Sequence, residues 1–242
     1  MAAGYRPICG AFLRLAWREP VDTLSDRVGD RQEAAAVIDD LDVAPIPARL
    51  RFDPQPVSAE LSAGSLGIEA GPRTDLFVDP LTGRVRDEAP RALGLVSGDF
   101  LFSARVRADH RSTFDAGALL AVVDGDHWAK LCLERSPQGV PMVVSVINRG
   151  VCDDANAFDV DGGAVWLRIA RRAWTVALHA SLDGRTWQLI RHCSLAPPNA
   201  AAPPGEMRIG FLAQSPTGPG CRAAFDDIRF AAGQLTDLRD GS

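Results

Sequence analysis

The 242 residues, 46% of them apolar, suffice for one large core, and a net charge of −5 without a long basic run excludes the electrostatic footprint of a nucleic-acid binder. The 22 Gly and 17 Pro suit a turn-rich β protein and disfavour a helical bundle. Cys9, Cys132, Cys152, Cys193 and Cys221 are odd in number and never form a C-x-x-C pair. That pattern argues against a disulfide framework and a thiolate zinc site, and points to reduced thiols in a cytoplasmic protein.

In chain order, "ICGAFLRLAW" is too short to span a bilayer and lacks a small-residue cleavage site, so it reads as neither membrane span nor secretory signal. Leu24, Val28, Ala34, Ala35, Val37, Ile38 and Leu41 approximate a helical stripe, closed by Pro45 and Pro47. Residues 1–47 therefore read as an N-terminal extension. It is an appended helix, a loosely ordered arm, or upstream sequence from a mistaken start codon.

From residue 48 the period changes to two. Strand candidates follow: "ARLRFDP", "SLGIEAG", "GDFLFSARVRAD", "GALLAVVDGDHWAKLCLE", "PMVVSVIN", "AVWLRIARR", "WTVALHASLDG", "TWQLIRHCS", "EMRIGFLAQS" and "AAFDDIRF". Turn residues punctuate them at intervals of about ten residues, the spacing of a sandwich or barrel. No long helical stripe lies between them, which argues against βαβ units. Phe100, Phe102, Ala104 and Val106 read as inward, as do Val165, Leu167 and Ile169; Trp174, Val176 and Leu178; and Ile209 with Phe211. The expected fold is all-β, an antiparallel two-sheet sandwich over residues 48–232, with a C-terminal tail at 233–242.

The hairpin "FDAGALLAVVDGDHWAKLCLE" turns at Asp124-Gly125. Along its second strand Ala129, Leu131 and Leu133 point one way, and Trp128, Lys130, Cys132 and Glu134 the other. Lys130 and Glu134 are separated by roughly 13 Å along the strand and cannot pair directly. Arg168 and Ser145 are the proposed neighbours, Glu134 and Arg168 forming a bidentate pair. With Trp128 alongside, the set would hold sugar hydroxyls in a groove; otherwise it is a salt-bridge lattice on a wet sheet face.

The segment "CDDANAFDVDGG" reads as an acid-rich loop, with turn-capping and calcium-binding as its two meanings, and turn-capping preferred. His110, His127, His179 and His192 share no ligand spacing, and no metal or cofactor is expected. No nucleophile elbow, phosphate loop or dinucleotide fingerprint occurs. A glycosidase needs two carboxylates flanking a bond, and this strand offers only Glu134.

Six steps in order resemble the concanavalin-A-like lectin/glucanase superfamily and, within it, the domain-of-unknown-function family that includes regulation-of-enolase proteins. They are "TDLF" with Thr74 and Phe77; "FDAGA" with Asp115, where Ala116 replaces a glutamine; and Trp128, Lys130 and Glu134. Then come Ser145, Val146 and Ile147; Ser181, Asp183, Gly184 and Trp187; and Gly210 with Ser215-Pro216 before "AAFDDIRF". Cys152, Asp153 and Asp154 stand where the family has Ser-Asp-Trp, so an indole is lost while Asp153 stays. The resemblance implies a jelly roll with a concave sheet and no particular reaction.

The expected function is a non-catalytic module binding a carbohydrate or similar polar ligand over Trp128, Lys130, Glu134, Ser145, Arg168 and Asp153. No nucleic-acid or membrane partner is expected. The alternatives are an intracellular regulatory or protein-interaction domain, and a glycosidase-like enzyme.

Overall fold

The computed structural model describes residues 40–197 and 199–242, all within the unit Ala35–Ser242. The expected helical stripe falls outside the described residues apart from Leu41, which opens the first strand. In chain order the strands are β1 (Leu41–Asp42), β2 (Arg49–Phe52), β3 (Ser58–Ser62), β4 (Ser65–Ala70), β5 (Leu76–Val78) and β6 (Val85–Asp87). They continue as β7 (Arg91–Ser97), β8 (Phe100–Ala108), β9 (Ala116–Val122), β10 (His127–Arg135), β11 (Pro141–Arg149) and β12 (Cys152–Asp159). The last five are β13 (Ala164–Arg172), β14 (Thr175–Ser181), β15 (Gln188–Ser194), β16 (Glu206–Gln214) and β17 (Cys221–Ala232).

These build two antiparallel sheets and a hairpin. One sheet has eight strands in the order β1-β2-β7-β16-β9-β10-β11-β12; the other has seven, β15-β14-β13-β8-β17-β4-β3. β5 and β6 pair only with each other. The architecture is the antiparallel two-sheet sandwich that the period-two pattern predicts.

Alternation explains the core. Phe100, Phe102, Ala104 and Val106 of β8 meet Val165, Leu167 and Ile169 of β13 on the inner face, all fully buried. Ile209 and Phe211 of β16 close the core from the other sheet, Phe211 packing edge-on against Phe102 (5.3 Å) and tilted against Phe225 (4.8 Å). Each such ring contributes roughly 1.5–3 kcal/mol by burial.

Three expectations need correction. Trp174 sits half-buried in the turn before β14 rather than inside the strand. "CDDANAFD" is edge strand β12, not a loop, because an edge tolerates polar residues on its wet side. Residues 40–47 do not stand apart from the sandwich: β1 pairs with β2, and Val43 and Ile46 are buried in its core.

The glycine of the G-x-x-x-x-S-P step has a backbone reason. A Cβ on Gly210 would lie 1.8 Å from the Ala92 carbonyl oxygen on β7, where no side chain can give way. Gly210→Ala is therefore expected to cost about 3 kcal/mol or more, the upper range for overpacking. Chemical denaturation checks this; a variant as stable as the parent would contradict the close approach of β7 and β16.

Candidate functional site

β10 places its residues as period two requires. Ala129, Leu131 and Leu133 enter the inter-sheet core, while Trp128 and Cys132 join a second apolar cluster on the outer face of the eight-stranded sheet. That face is covered by the β5–β6 hairpin. Leu76 packs into the cluster, and Phe77 and Val78 pack against it. Trp128 is only 3% exposed and offers no open stacking platform.

Lys130 is 1% exposed. Its Nζ donates to the Leu76 carbonyl (2.8 Å) and to Oε1 of Gln214 (2.8 Å), with Asp75 Oδ1 at 3.8 Å. A buried ammonium left without acceptors would cost several kcal/mol, so these partners fix the hairpin, β10 and β16 relative to one another. The bonds on Gln214 also orient its amide. Its Nε2 donates to the Phe114 carbonyl (3.1 Å) and, at 3.5 Å, to Oε2 of Glu134.

The hairpin partitions the outer face into two clefts. Alternate residues from Asp75 through β5 serve opposite sides, Leu76 and Val78 one cleft, and Asp75 and Phe77 the other. The Asp75 cleft has a volume of about 180 Å³. Val144 and Val146 form its apolar floor, Phe77, Phe114 and Pro216 its sides, and Lys130, Glu134, Asp154, Asp75 and Gln214 its polar lining.

Glu134 is the perturbed group here. Burial pushes its carboxyl up to about 7; Lys130 pulls it back, and the nearby Asp75 and Asp154 charges push it further up. Burial likewise raises the Cys132 thiol far above its ordinary value, which removes it as a nucleophile at neutral pH.

The structure brings together Lys130 and Glu134 of the expected set in the Asp75 cleft, places Trp128 at the other cleft, and separates the rest. Ser145 pairs with Leu131 and so faces the inter-sheet core, where it donates to Ala155 O at 3.5 Å. Arg168 lies on β13 of the other sheet, so the expected Glu134–Arg168 pair does not form. There its Nη2 donates to Gly241 O (2.8 Å) and its guanidinium lies 4.2 Å from the Trp187 ring centre, next to His179, under the C-terminal tail. Asp153 points to the Ile147 side and bridges to Arg191 at 3.3 Å.

Asp154, one residue on, is the acid that enters the cleft. Asp75, Phe77, Phe114 and Gln214 line the cleft without being among the residues expected from the sequence. Asp75 and Phe77 were available in the "TDLF" step, and Phe114 in "FDAGA". Among the described residues no group of three or more His, Cys, Asp or Glu side chains is placed to hold a metal ion.

A model of the family described as "Protein of unknown function (DUF1349)" matches residues 52–232. Regulation of enolase protein 1 from Saccharomyces cerevisiae is 28% identical over 184 residues, covering 71% of this chain and 91% of that protein. The crystal structure of a functionally unknown protein from Saccharomyces cerevisiae is similar with a TM-score of 0.70 at 23% identity, covering 77% of this chain and 97% of that one. A mutant GH43 protein from Bacillus licheniformis has a TM-score of 0.59 at 16% identity, covering 77% of this chain and 37% of that one. The two structural likenesses concern the fold alone.

The position of Glu134 has a pH signature. A carboxyl raised from 4.5 to about 7 favours the folded state fully below 4.5 and loses that contribution as pH rises through about 7. The loss amounts to at most roughly 3 kcal/mol. Glu134→Gln is therefore expected to flatten stability between about pH 5 and about pH 8 and to be the more stable form at the upper end. Urea melts across this range check it. A variant less stable than the parent at about pH 8 would instead indicate a stabilising ion pair at Glu134.

Proposed function

The chain belongs to the family described as "Protein of unknown function (DUF1349)", and on that premise we propose that the Glu134 cleft binds a small, neutral, hydroxyl-rich ligand of the sugar type. One observation carries the reading: a half-buried carboxyl faces a cavity and has one long contact, from Gln214. Buried polar groups are ordinarily hydrogen-bonded, and the remaining acceptor positions of Glu134 suit ligand hydroxyls. Phe77 and Phe114 supply the apolar walls that the C–H faces of a sugar ring pack against. The volume, about 180 Å³, is below the about 300 Å³ at which pockets for drug-sized ligands begin, which limits the ligand to about one ring.

Lys130 is not a ligand contact in this reading, because its ammonium is committed to Leu76 and Gln214. Its role is to hold the cleft open in one shape. Asp75 and Asp154 add further acceptors and make the cleft unfavourable to anions.

A second reading is favoured by the same three carboxyls. A carboxyl protonated near neutral pH beside others in one cavity is the arrangement that acid–base hydrolysis of a glycosidic bond requires. Glu134 would then protonate the leaving oxygen, with Asp75 or Asp154 activating water.

Saturation-transfer NMR against neutral mono- and disaccharides separates the readings. Millimolar binding, about −4 kcal/mol, is expected. It should be lost in Glu134→Ala, with no sugar consumed. Absence of contact with any sugar, or contact unchanged in Glu134→Ala, would contradict the binding site. Steady hydrolysis that disappears in Glu134→Gln would replace the binding reading with the hydrolytic one.

A further inference from the structure

The larger cleft, on the far side of β5, is separate from the Glu134 cavity and encloses about 490 Å³, within the range of ligand sites. Its inner surface is apolar, formed by Leu93, Val122 and the edge of Trp128 from the sheet and by Leu76, Val78 and Val85 from the hairpin.

Four guanidinium groups border it, and three are neutralised. Arg51 pairs with Asp40 (2.7 Å), Arg86 with Glu88 (3.0 Å) and Arg91 with Asp87 (2.8 Å). Arg208 is exposed, faces the cleft beside Val122, and has no carboxylate within 4.0 Å among the described residues. Asp124, the acid on the adjoining turn, already accepts from the backbone N–H of Asp126 and of His127 and contacts His127 Nδ1.

Asp53 lies at the opposite end. Its N–H donates to Arg91 O, and Arg91 pairs with Leu212, four residues along β16 from Arg208. At about 3.3 Å per residue that is about 13 Å. The cleft thus has a free cation at one end, an apolar length between, and a carboxylate at the other. A ligand matching this has one anionic head and an apolar body, with the head at Arg208.

We propose that this cleft is a second binding site, for an amphipathic organic anion whose head group engages Arg208 and whose body lies against Val122, Leu93 and Trp128. The inference is independent of the reading for Glu134, which lines the other cleft.

Naphthalene-2-sulfonate, a permanent anion on an apolar ring, is a suitable probe, with neutral naphthalen-2-ylmethanol as its control. The reporter is the indole N–H resonance of Trp128 in a ¹H–¹⁵N spectrum of the whole chain, assigned through Trp128→Phe. The sulfonate is expected to shift that resonance saturably and to bind about tenfold more tightly than the alcohol. Arg208→Glu should weaken it by about tenfold or more, whereas Arg208→Lys keeps most of the affinity and Glu134→Gln leaves it unchanged. Arg208 has no ion-pair partner among the described residues, so a matching melting temperature confirms that the variants remain folded. Equal binding of sulfonate and alcohol, unchanged affinity in Arg208→Glu, or a Trp128 resonance that does not move would each overturn the proposal.

Discussion

The ammonium of Lys130 is buried where three segments meet, and the arrangement of the outer face follows from how it is satisfied. It donates to the Leu76 carbonyl on the hairpin and to Gln214 on β16, with the Asp75 carboxylate beside it. Removing a charge from water is costly, so the position is tolerable only while those acceptors stay in place. The hairpin is thereby held across the sheet with alternate side chains facing opposite clefts. Gln214, oriented by accepting from Lys130, turns its amide nitrogen to Phe114 and Glu134. The raised carboxyl of Glu134 is a result of the same closure, since the cover that buries Lys130 also limits water around its neighbour on β10.

What could be read from the residues depended on which physical signal each element carried. The two faces of β10 were legible because period two assigns parity without reference to any other strand. Parity alone does not say which sheet a strand joins, so it does not separate Arg168, on the opposite sheet under the C-terminal tail, from Glu134. Ser145 and Asp153 fail for a related reason. Each is one residue out of phase with the cleft, and the phase is decided by the pairing of β11 with β10 and of β12 with β11. The β5–β6 hairpin is not legible in the sequence because three-residue strands show no periodicity, and only its "TDLF" step marks it.

Several of those family steps turn out to be scaffold. Asp115, fully buried, accepts from the N–H of Arg111 and Ser112 and from the hydroxyl of Ser215 (2.7 Å). Thr74 and Ser215 exchange backbone hydrogen bonds in an isolated bridge, which seats the start of the hairpin segment against the end of β16. Asp183 caps its turn by accepting from the N–H of Arg185 and Thr186, which holds its carboxyl well below the usual range. Asp115, Thr74 and Ser215 position the cleft without lining it, whereas Asp183 shapes a turn of the other sheet. Asp75 and Phe77 belong to a family step and line the cleft as well.

The central claim is that Lys130 pins the hairpin to the sheet and so creates both clefts. Hydrogen–deuterium exchange of Lys130→Met tests it most directly, since the substitution keeps the apolar stem and removes the donor. Faster exchange at the β5–β6 amides, with β9, β10 and β16 still protected, is the predicted result. A hairpin that remains as protected as in the parent chain would show that apolar packing of Leu76 and Val78 holds it without the ammonium, and would contradict the account.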